Sequence, residues 1–295
     1  MKRVLYFLMA GLIVLFVACE RETGKGVLKL SLTDSPVDTT GLKGVYITIN
    51  EIQVNTTENG WETLDAFEGP KTVNLIELTR GTTEDLGDFV LDEGNYTQIR
   101  FILDAPSQGE SPRSNPGCYL EYDNQTTIPL LVPSGSQSGF KATGEFVVPI
   151  NDTIKLTADF DVRKSVVRAG NSGNFILKPT IRVVAQGEAG QIRGHVANIP
   201  DSTKIIIYAY ADGKYTTTEA SDPAEGAVRF PAAVNSDMVD SLGIYHIAYL
   251  AQGKYDLVVT SMVNDKFDKV IGIVEDVTVE SRKTTDQDID ISTLH

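Results

Sequence analysis

The stretch Ile154–Val162 reads IKLTADFDV, so apolar and polar residues alternate at every position. Successive side chains of a β-strand point to opposite faces, and this period of two therefore predicts a strand with one buried face and one polar face. Leu28–Leu32 and Phe175–Val183 show the same alternation. Helical periodicity is nearly absent from residue 19 onward, apart from one short turn predicted over Val73–Leu78. We therefore predict an all-β protein with mainly antiparallel strands.

A change of phase and a turn signal organise one long predicted strand. Within Val45–Val54 the apolar positions shift by one residue near the middle of the stretch. One extra residue in a strand has this effect, so we expect a β-bulge near Asn50-Glu51. The dipeptide Asn59-Gly60 follows and is typical of tight hairpin turns. We therefore expect the chain to return along this strand.

The N-terminus has the three parts of a secretory leader. Lys2 and Arg3 are followed by the uncharged apolar run Val4–Ala18 and then by Cys19. A basic start, a short apolar core and small residues before a cut are typical of a signal peptide. The alternative is a transmembrane anchor, but the run is shorter than the ~20 residues that a spanning helix needs. We predict a lipoprotein signal peptide over residues 1–18.

The residues before the predicted cut resemble the bacterial lipobox. Phe16-Val17-Ala18-Cys19 places a small residue directly before the cysteine. The resemblance implies that the thiol of Cys19 carries a diacylglycerol and that its new amino group carries a third acyl chain. Several acyl chains anchor a protein that a single chain would hold only reversibly. We therefore expect Cys19 to bind the lipid bilayer of the cell outer membrane. The mature protein would face the cell surface, with the periplasmic face of the membrane as the alternative.

The charge balance argues against some partners. The chain has 26 Lys and Arg against 40 Asp and Glu, and its formal charge is −14. Removal of residues 1–18 would take away two basic residues and leave −16. Phosphate backbones are repelled by this balance, and no basic stripe offsets it, so we expect no nucleic-acid partner. Acylation would leave Cys118 as the remaining cysteine, which we interpret as a small hydrophobic residue.

The length and the spacing of polar stretches indicate two domains. About 100–200 residues per domain is usual, and the mature chain exceeds one such unit. Residues 19–25 form a polar tether that includes Cys19, and small and polar residues at 185–190 separate two strand-rich regions. We predict two consecutive antiparallel β-sandwich domains, over residues 26–186 and 190–295.

A short pattern occurs once in each predicted domain. Leu91–Tyr96 and Leu250–Tyr255 both read Leu-x-x-Gly-x-Tyr, and each opens a predicted strand. A tyrosine at a sandwich corner can donate its hydroxyl hydrogen bond back to nearby backbone. Coincidence is the alternative for so short a pattern.

Both predicted domains resemble known families. The first contains four blocks in order, which together span roughly residues 25–186: Leu32–Pro36, Gly94–Arg100, Asp159–Asp161 with Ser165, and Leu177–Val183. These blocks resemble the domain of unknown function 4382 family of Bacteroidota lipoproteins. That family has no settled activity, so the resemblance implies fold and location only.

Three stretches of the second domain carry a further resemblance: Gly190–Val196, Gly243–Ile247 and Gly253–Leu257. The first resembles the opening strand, and the other two the central pair, of carboxypeptidase regulatory-like, transthyretin-like β-sandwiches. Such modules usually act as non-catalytic spacers or binding platforms.

The familiar catalytic signatures are missing from the sequence. It has no His-Glu-x-x-His, no Gly-x-Ser-x-Gly, no phosphate-binding glycine loop and no Cys-x-x-Cys. The three histidines lie far apart in the sequence. We therefore expect no catalytic residue, no metal and no cofactor.

Asp159 and Asp161 are the strongest acidic pair. Two residues apart on a strand, they would share its polar face. Paired carboxylates can hold Ca²⁺ or serve as acid and base. The other interpretation is a solvated face, or ion pairing with Arg100, Lys155 or Arg163. We favour this second interpretation because no third oxygen ligand can be placed from the sequence.

Two further candidates complete the set of possible binding residues, which also includes Arg100. Asp34 follows the first predicted strand, and we expect its carboxylate to accept backbone N–H groups in a turn. Trp61 is interpreted as a cross-strand partner in the hairpin, with ligand contact as the alternative.

These residues support one leading hypothesis and two alternatives. The leading hypothesis is a non-enzymatic cell-envelope lipoprotein that binds or supports another molecule, either a glycan or a protein. The first alternative is a glycan-binding subunit for nutrient capture that uses exposed aromatics such as Trp61. The second is a hydrolase that uses Asp159, Asp161 or Asp34.

Overall fold

The structure, a computed structural model, describes residues 24–34, 41–106, 115–132, 139–170, 173–224 and 226–294. Nearly all of its regular structure is β-strand, which confirms the predicted all-β class. The predicted signal peptide and Cys19 lie outside the described residues. None of the helices within the described ranges is long and apolar enough to cross a membrane. We refer to residues 24–186 as the N-terminal segment and to residues 187–294 as the C-terminal segment.

The N-terminal segment contains fourteen strands among its described residues, and they form one continuous sheet. The strands are β1 (Lys25–Asp34), β2 (Leu42–Thr56), β3 (Gly60–Thr63), β4 (Lys71–Asn74), β5 (Glu84–Asp92), β6 (Gly94–Leu103), β7 (Tyr119–Tyr122), β8 (Thr127–Leu131), β9 (Phe140–Thr143), β10 (Phe146–Val148), β11 (Thr153–Phe160), β12 (Val166–Arg168), β13 (Phe175–Leu177) and β14 (Ile181–Ala185). Their order is β12-β13-β8-β7-β2-β6-β9-β14-β11-β1-β5, with β3 and β4 also on β2 and β10 on β6.

One apolar core holds this sheet together. Leu28, Ile52 and Phe101 belong to it and are almost completely buried, which matches the inward positions of the alternating pattern. Most neighbouring strands are antiparallel, as predicted, but β1 runs parallel to β11. Parallel neighbours need a long crossover connection, and more than a hundred residues separate these two strands.

The local predictions for the second strand are confirmed. The register of β2 against β6 shifts between Ile49 and Glu51, where the bulge was expected. The chain then returns as β3 with Gly60 opposite Thr56, and Gly60 has a φ of +73° that favours glycine. A 3₁₀-helix at Leu75–Glu77 lies within the predicted helical turn.

The C-terminal segment contains two sheets and two apolar clusters that are separate from the N-terminal core. Its strands are β15 (Gly190–Ala197), β16 (Thr203–Ala211), β17 (Asn235–Met238), β18 (Ile244–Leu250), β19 (Gly253–Val263), β20 (Lys266–Val279), β21 (Thr284–Asp286) and β22 (Ile289–Asp290). One sheet has the order β18-β15-β21 with β22 also on β15, and the other has the order β17-β16-β19-β20. The helical elements are brief: α1 (Val162–Ser165) in the N-terminal segment, and 3₁₀-helices at Thr217–Ala220 and Ile291–Thr293 here.

The repeated Leu-x-x-Gly-x-Tyr pattern has the same structural role in both segments. The hydroxyl of Tyr96 donates to the carbonyl of Asp92 at 2.9 Å, and that of Tyr255 donates to the carbonyl of Ala251 at 2.9 Å. Both rings are buried. The hydroxyl therefore bonds back four residues in each case, and the predicted tyrosine corners are confirmed.

We expect Tyr255→Phe to lower the free energy of unfolding by about 1 kcal/mol, because it removes the hydrogen bond from a buried tyrosine to the carbonyl of Ala251. Tyr96→Phe should have a similar effect and should keep the ring stacked on Phe146, whose centroid lies 5.1 Å away. Urea unfolding measures the change, and an unaltered near-UV circular dichroism spectrum serves as the control for packing. Unfolding free energies equal to that of the unchanged protein would contradict the role of the hydroxyls.

The cysteine of the described residues, Cys118, lies inside the N-terminal core. Cys118 is completely buried, and its sulfur lies 3.5 Å from the backbone nitrogen of Thr48. Burial raises the pKa of this thiol to about 12, so it stays protonated and unreactive at neutral pH. These observations agree with its interpretation as a small hydrophobic residue.

Candidate functional site at a buried charged junction

The three candidate acids lie where the N-terminal segment meets the C-terminal segment. Asp34, Asp159 and Asp161 are all buried, so the expectation of a solvated acidic face is wrong. The expectation that two of them share a strand face is also wrong, because β11 ends at Phe160. Asp161 instead caps α1 and accepts the N–H of Lys164 at 3.2 Å. Aspartate is a preferred N-cap residue, and here it turns the chain out of the strand.

Asp159 forms a cross-strand ion pair that sequence reasoning missed. It lies opposite Arg182 in the β11–β14 pairing, and Nε of Arg182 donates to its Oδ2 at 2.8 Å. Nη1 of the same guanidinium donates to the backbone carbonyl of Tyr249, in the C-terminal segment, at 2.9 Å. Arg182 therefore links a buried acid of one segment to the backbone of the other.

Asp161 is the centre of a second set of charged contacts. Its Oδ2 lies 3.2 Å from Nη2 of Arg163 and 3.2 Å from Nζ of Lys164. The pairing with Arg163 is one that the sequence suggested. Arg163 also donates to the carbonyl of Phe230 at 3.0 Å, and Lys164 donates to that of Ala233 at 2.8 Å. Burial lowers the pKa of Lys164, although Asp161 opposes this effect.

Asp34 positions the helix that carries these basic groups. Its Oδ1 accepts the N–H of Val162 at 3.0 Å, across 128 residues of sequence. The turn that was expected to supply its partners falls at residues 35–40, which lie outside the described residues. The distant contact shows that Asp34 helps to fix the start of α1.

Arg80 makes a third link between the segments, from the turn before β5. Its Nε lies 3.1 Å from Oδ2 of Asp237, and its Nη1 donates to Asp240 at 2.7 Å. Its Nη2 donates to the carbonyl of Met238 at 2.7 Å. The same Asp237 oxygen accepts the N–H of His246 at 2.7 Å. No sequence pattern marked Arg80, because its partners lie about 160 residues away.

The junction has a common chemistry. Four basic side chains of the N-terminal segment donate to backbone carbonyls of the C-terminal segment: Arg80, Arg163, Lys164 and Arg182. The same four groups form ion pairs with buried or partly buried carboxylates. A charge that is both paired and hydrogen-bonded can be buried without a large penalty. This arrangement fits a fixed joint between the segments.

The open space near this junction does not include the candidate acids. A cavity of about 300 Å³ is lined by residues of both segments, including Arg80, His246, Tyr249 and Arg282. Asp34, Asp159 and Asp161 are not among its lining residues. Within the part of the chain that the structure describes, no group of three or more His, Cys, Asp or Glu is arranged for a metal ion.

The pKa of Asp237 predicts that the stability of the protein depends on pH. Burial raises its pKa from 3.8 to about 6, although Arg80 and the N–H of His246 lower it. The folded protein therefore binds this proton more tightly than the unfolded chain does. The stabilisation that the protonated Asp237 provides is fully present below about pH 4 and is lost as the pH rises through about 6.

We expect the stability of the unchanged protein, relative to Asp237→Asn, to fall between pH 4 and pH 7. The difference between pKa values of 3.8 and about 6 limits this fall in the free energy of unfolding to about 3 kcal/mol. Urea unfolding of both proteins across this pH range measures the difference, and other titrating groups cancel in the comparison. Parallel stability curves for the two proteins would contradict the raised pKa.

Trp61 and Arg100 form a separate, partly exposed site. Trp61 lies opposite Asn55 in the β2–β3 hairpin, so its predicted cross-strand position is confirmed. The guanidinium carbon of Arg100, on β6, lies 4.1 Å from the centre of the indole ring, and Nζ of Lys141 lies 5.7 Å from it. Arg100 also donates to the side chain of Gln53. Two of the candidate binding residues, Trp61 and Arg100, thus lie together at a site that does not include Asp34, Asp159 or Asp161.

Comparisons with known proteins identify a family for the N-terminal segment. The model of the family described as "Domain of unknown function (DUF4382)" matches residues 25–179. No curated protein matches the sequence.

Several solved structures resemble the chain, at low identity. The minor pilin GBS52 of Streptococcus agalactiae is 14% identical and has a TM-score of 0.23, with 89% of this chain and 94% of that chain covered. The shaft pilin SpaA of Lactobacillus rhamnosus GG is 13% identical with a TM-score of 0.24 and coverages of 91% and 97%. BcpA, the major pilin subunit of Bacillus cereus, is 10% identical with a TM-score of 0.22 and coverages of 90% and 69%. Nothing about function follows from likenesses at these scores.

Proposed function

Because the chain belongs to the family of the domain of unknown function DUF4382, we propose that it is a cell-envelope lipoprotein with a non-catalytic binding or structural role. In this proposal residues 1–18 are a signal peptide and Cys19 carries the acyl chains. The protein is anchored in the outer membrane and faces the cell surface. Its ligand is a glycan or a protein, and it uses no cofactor.

The observation that carries the non-catalytic role is the burial of the candidate acids under basic groups. Acid–base catalysis by two carboxylates needs an accessible cleft and a pKa matched to the reaction. Asp159 is instead paired with Arg182, and Asp161 with Arg163 and Lys164. A hydrolase that uses Asp159 or Asp161 would have to break the joint between the segments in order to expose them. One that uses Asp34 would have to uncover a residue that is 4% exposed.

The proposal also divides the chain into two β-sandwich domains, over residues 26–186 and 190–295, with the second of the carboxypeptidase regulatory-like, transthyretin-like type. The apolar clusters support this division, because one contains only residues of the N-terminal segment and the other two contain only residues of the C-terminal segment. The strands of the two segments also belong to different sheets among the described residues. The charged junction would hold the two domains in one orientation, as expected of a rigid platform.

Fractionation and mass spectrometry test the anchor. We expect the native protein to have the mass of residues 19–295 plus a diacylglycerol and a further acyl chain, and to remain in the membrane fraction. The Cys19→Ala variant should appear in the soluble fraction. An unmodified Cys19, or a retained leader, would contradict the proposal.

Protease treatment of intact cells tests the proposed orientation. A surface-facing domain should be digested without lysis, whereas a periplasmic control protein stays intact. Resistance in whole cells followed by digestion after lysis would place the domain on the periplasmic face.

A second candidate function is capture of a glycan at the Trp61 site. The observation that favours it is the indole ring flanked by Arg100 and Lys141 on a polar sheet face. The apolar face of a tryptophan can pack against the C–H groups of a sugar, and guanidinium groups form strong hydrogen bonds with carboxylates. In a chain with a formal charge of −14, two cations beside this ring favour an acidic glycan.

The chain has a single tryptophan, so its fluorescence reports directly on this site. We expect titration with a uronic-acid polymer to change the emission of Trp61, and a neutral polymer of similar length to have a weaker effect. Arg100→Ala should weaken binding roughly tenfold, which corresponds to about 1.4 kcal/mol. Lys204→Ala, at an exposed ion pair of the C-terminal segment, is the matched control. Emission that stays constant with both polymers would exclude this candidate.

A further inference from the structure

The exposed large apolar side chains of the N-terminal segment are gathered at one end. Within the described residues they are Val90, Val147 and Ile150, which are 65%, 56% and 52% exposed. Isolated apolar residues on a surface are ordinary, but a group of them at one place marks an interaction site. All three lie beside residues 24–27, where the described chain enters its first strand.

Hydrogen bonds and packing fix this position. Val90 lies directly opposite Val27 in the β1–β5 pairing. The side chain of Ile150 lies against Gly24. The N–H of Asn151 donates to the carbonyl of Lys25 at 2.8 Å, which ties the turn after β10 to the start of β1.

Val147 belongs to the same end of the segment. The next residue, Val148, is buried and packs close to Gly26, so its exposed neighbour projects outward beside the start of β1. On the other side, the N–H of Glu93 donates to the carbonyl of Gly24 at 2.8 Å. Residues 147–150 therefore lie over the beginning of the first strand, and Val90 lies on the edge strand β5 beside it.

The distance to the proposed anchor identifies what covers these residues. Gly24 is five residues after Cys19, and an extended chain spans at most ~3.6 Å per residue, so the two are no more than about 18 Å apart. An acylated Cys19 would hold this end of the segment at the bilayer surface. We propose that Val90, Val147 and Ile150 contact the lipid surface and set the orientation of the protein on it, an inference that rests on the proposed acylation of Cys19.

The surrounding charges indicate the type of lipid surface. Lys25 is paired with Asp92 at 3.4 Å, and the acidic residues Glu93 and Asp152 lie beside the same end of β1. A net acidic rim gives no attraction to anionic headgroups, so burial of apolar area supplies the contact energy. A zwitterionic phosphatidylcholine surface therefore fits this end, and the contact should be insensitive to salt.

An environment-sensitive fluorophore on the full-length acylated protein tests the contact. Ile150→Cys and Val147→Cys each offer one reactive thiol, since Cys19 is acylated and Cys118 is buried. In phosphatidylcholine vesicles we expect both labels to shift to shorter emission wavelengths and to be quenched several-fold less by aqueous iodide. The matched control is Val263→Cys, at a 40% exposed valine that ends β19, and its label should not change.

A variant shows whether the side chains themselves make the contact. Val90→Ser combined with Val147→Ser should leave the acylated mass unchanged and should increase the iodide quenching of a label at residue 150. Both positions are exposed, so we expect the two substitutions to leave the fold unchanged.

The outcomes separate this inference from the proposed function. An acylated protein whose labels at residues 147 and 150 are quenched as strongly as the label at residue 263 would overturn the lipid contact and leave the anchor intact. A mass without acyl chains would overturn both. Short-wavelength emission from the soluble Cys19→Ala form without vesicles would assign the surface to the protein's own chain or to a second copy. Sedimentation then tells those two apart.

Discussion

Arg182→Met is expected to lower the free energy of unfolding by about 3–5 kcal/mol, because it removes the guanidinium that is paired with the buried carboxylate of Asp159. The guanidinium lies on the strand opposite this acid and also donates to the carbonyl of Tyr249. Methionine keeps much of the aliphatic volume of arginine but provides no donor. Urea unfolding followed by circular dichroism measures the loss.

Two controls show that burial, and not charge alone, produces this effect. Lys29→Met removes an ion pair with Asp88 on the exposed face of the same sheet, and exposed pairs contribute at most about 1 kcal/mol. The double variant Asp159→Leu with Arg182→Met replaces both charges and should recover most of the lost stability. A loss for Arg182→Met no larger than that for Lys29→Met would contradict the proposed importance of the junction.

Local features of the fold were predictable because their causes are local. The bulge near Asn50-Glu51 appears as a change of phase in the sequence, and the hairpin as a turn dipeptide. The tyrosine corners were predictable because donor and acceptor are four residues apart in each case. Apolar alternation identified the strands since each side chain responds to the face that it occupies.

The interpretation of Asp159 and Asp161 shows where alternation fails. A polar residue on a strand is normally solvated, but here the C-terminal segment covers that face. The pattern also continues past the end of β11, because aspartate serves equally as an outward strand residue and as an N-cap. Its preference for the N-cap position was the one signal that could have placed Asp161 at the start of α1.

The contacts at the junction could not be predicted from the sequence for a different reason. On the C-terminal side its acceptors are mostly main-chain carbonyls, such as those of Phe230, Ala233 and Tyr249. Every residue carries a carbonyl group, so no residue type marks these positions. The docking of the segments consequently depends on the shape of the C-terminal backbone more than on its side chains.

Arg80→Met is expected to weaken the docking of the two segments, with a loss of about 3–5 kcal/mol at neutral pH. The substitution leaves Asp237 buried with the N–H of His246 as a remaining donor, and it removes the contacts with Asp240 and the carbonyl of Met238. Hydrogen exchange should become faster around β17 and β18, while the N-terminal core keeps its protection. Protease cleavage should also increase in the turn at residues 186–189, which joins the segments.

The pH dependence of this loss distinguishes a charge effect from simple loss of packing. Asp237 already has a pKa of about 6, and removal of the guanidinium would raise that pKa further. The carboxyl group of the variant would therefore be neutral at pH 5, so the loss of stability should be largest near pH 7 and should shrink as the pH falls. Arg193→Met, which removes an exposed pair with Asp286, is the matched control and should change neither exchange nor cleavage. A deficit for Arg80→Met that is the same at pH 5 and pH 7 would mean that Arg80 acts at the junction through packing, and that the buried charge of Asp237 does not depend on it.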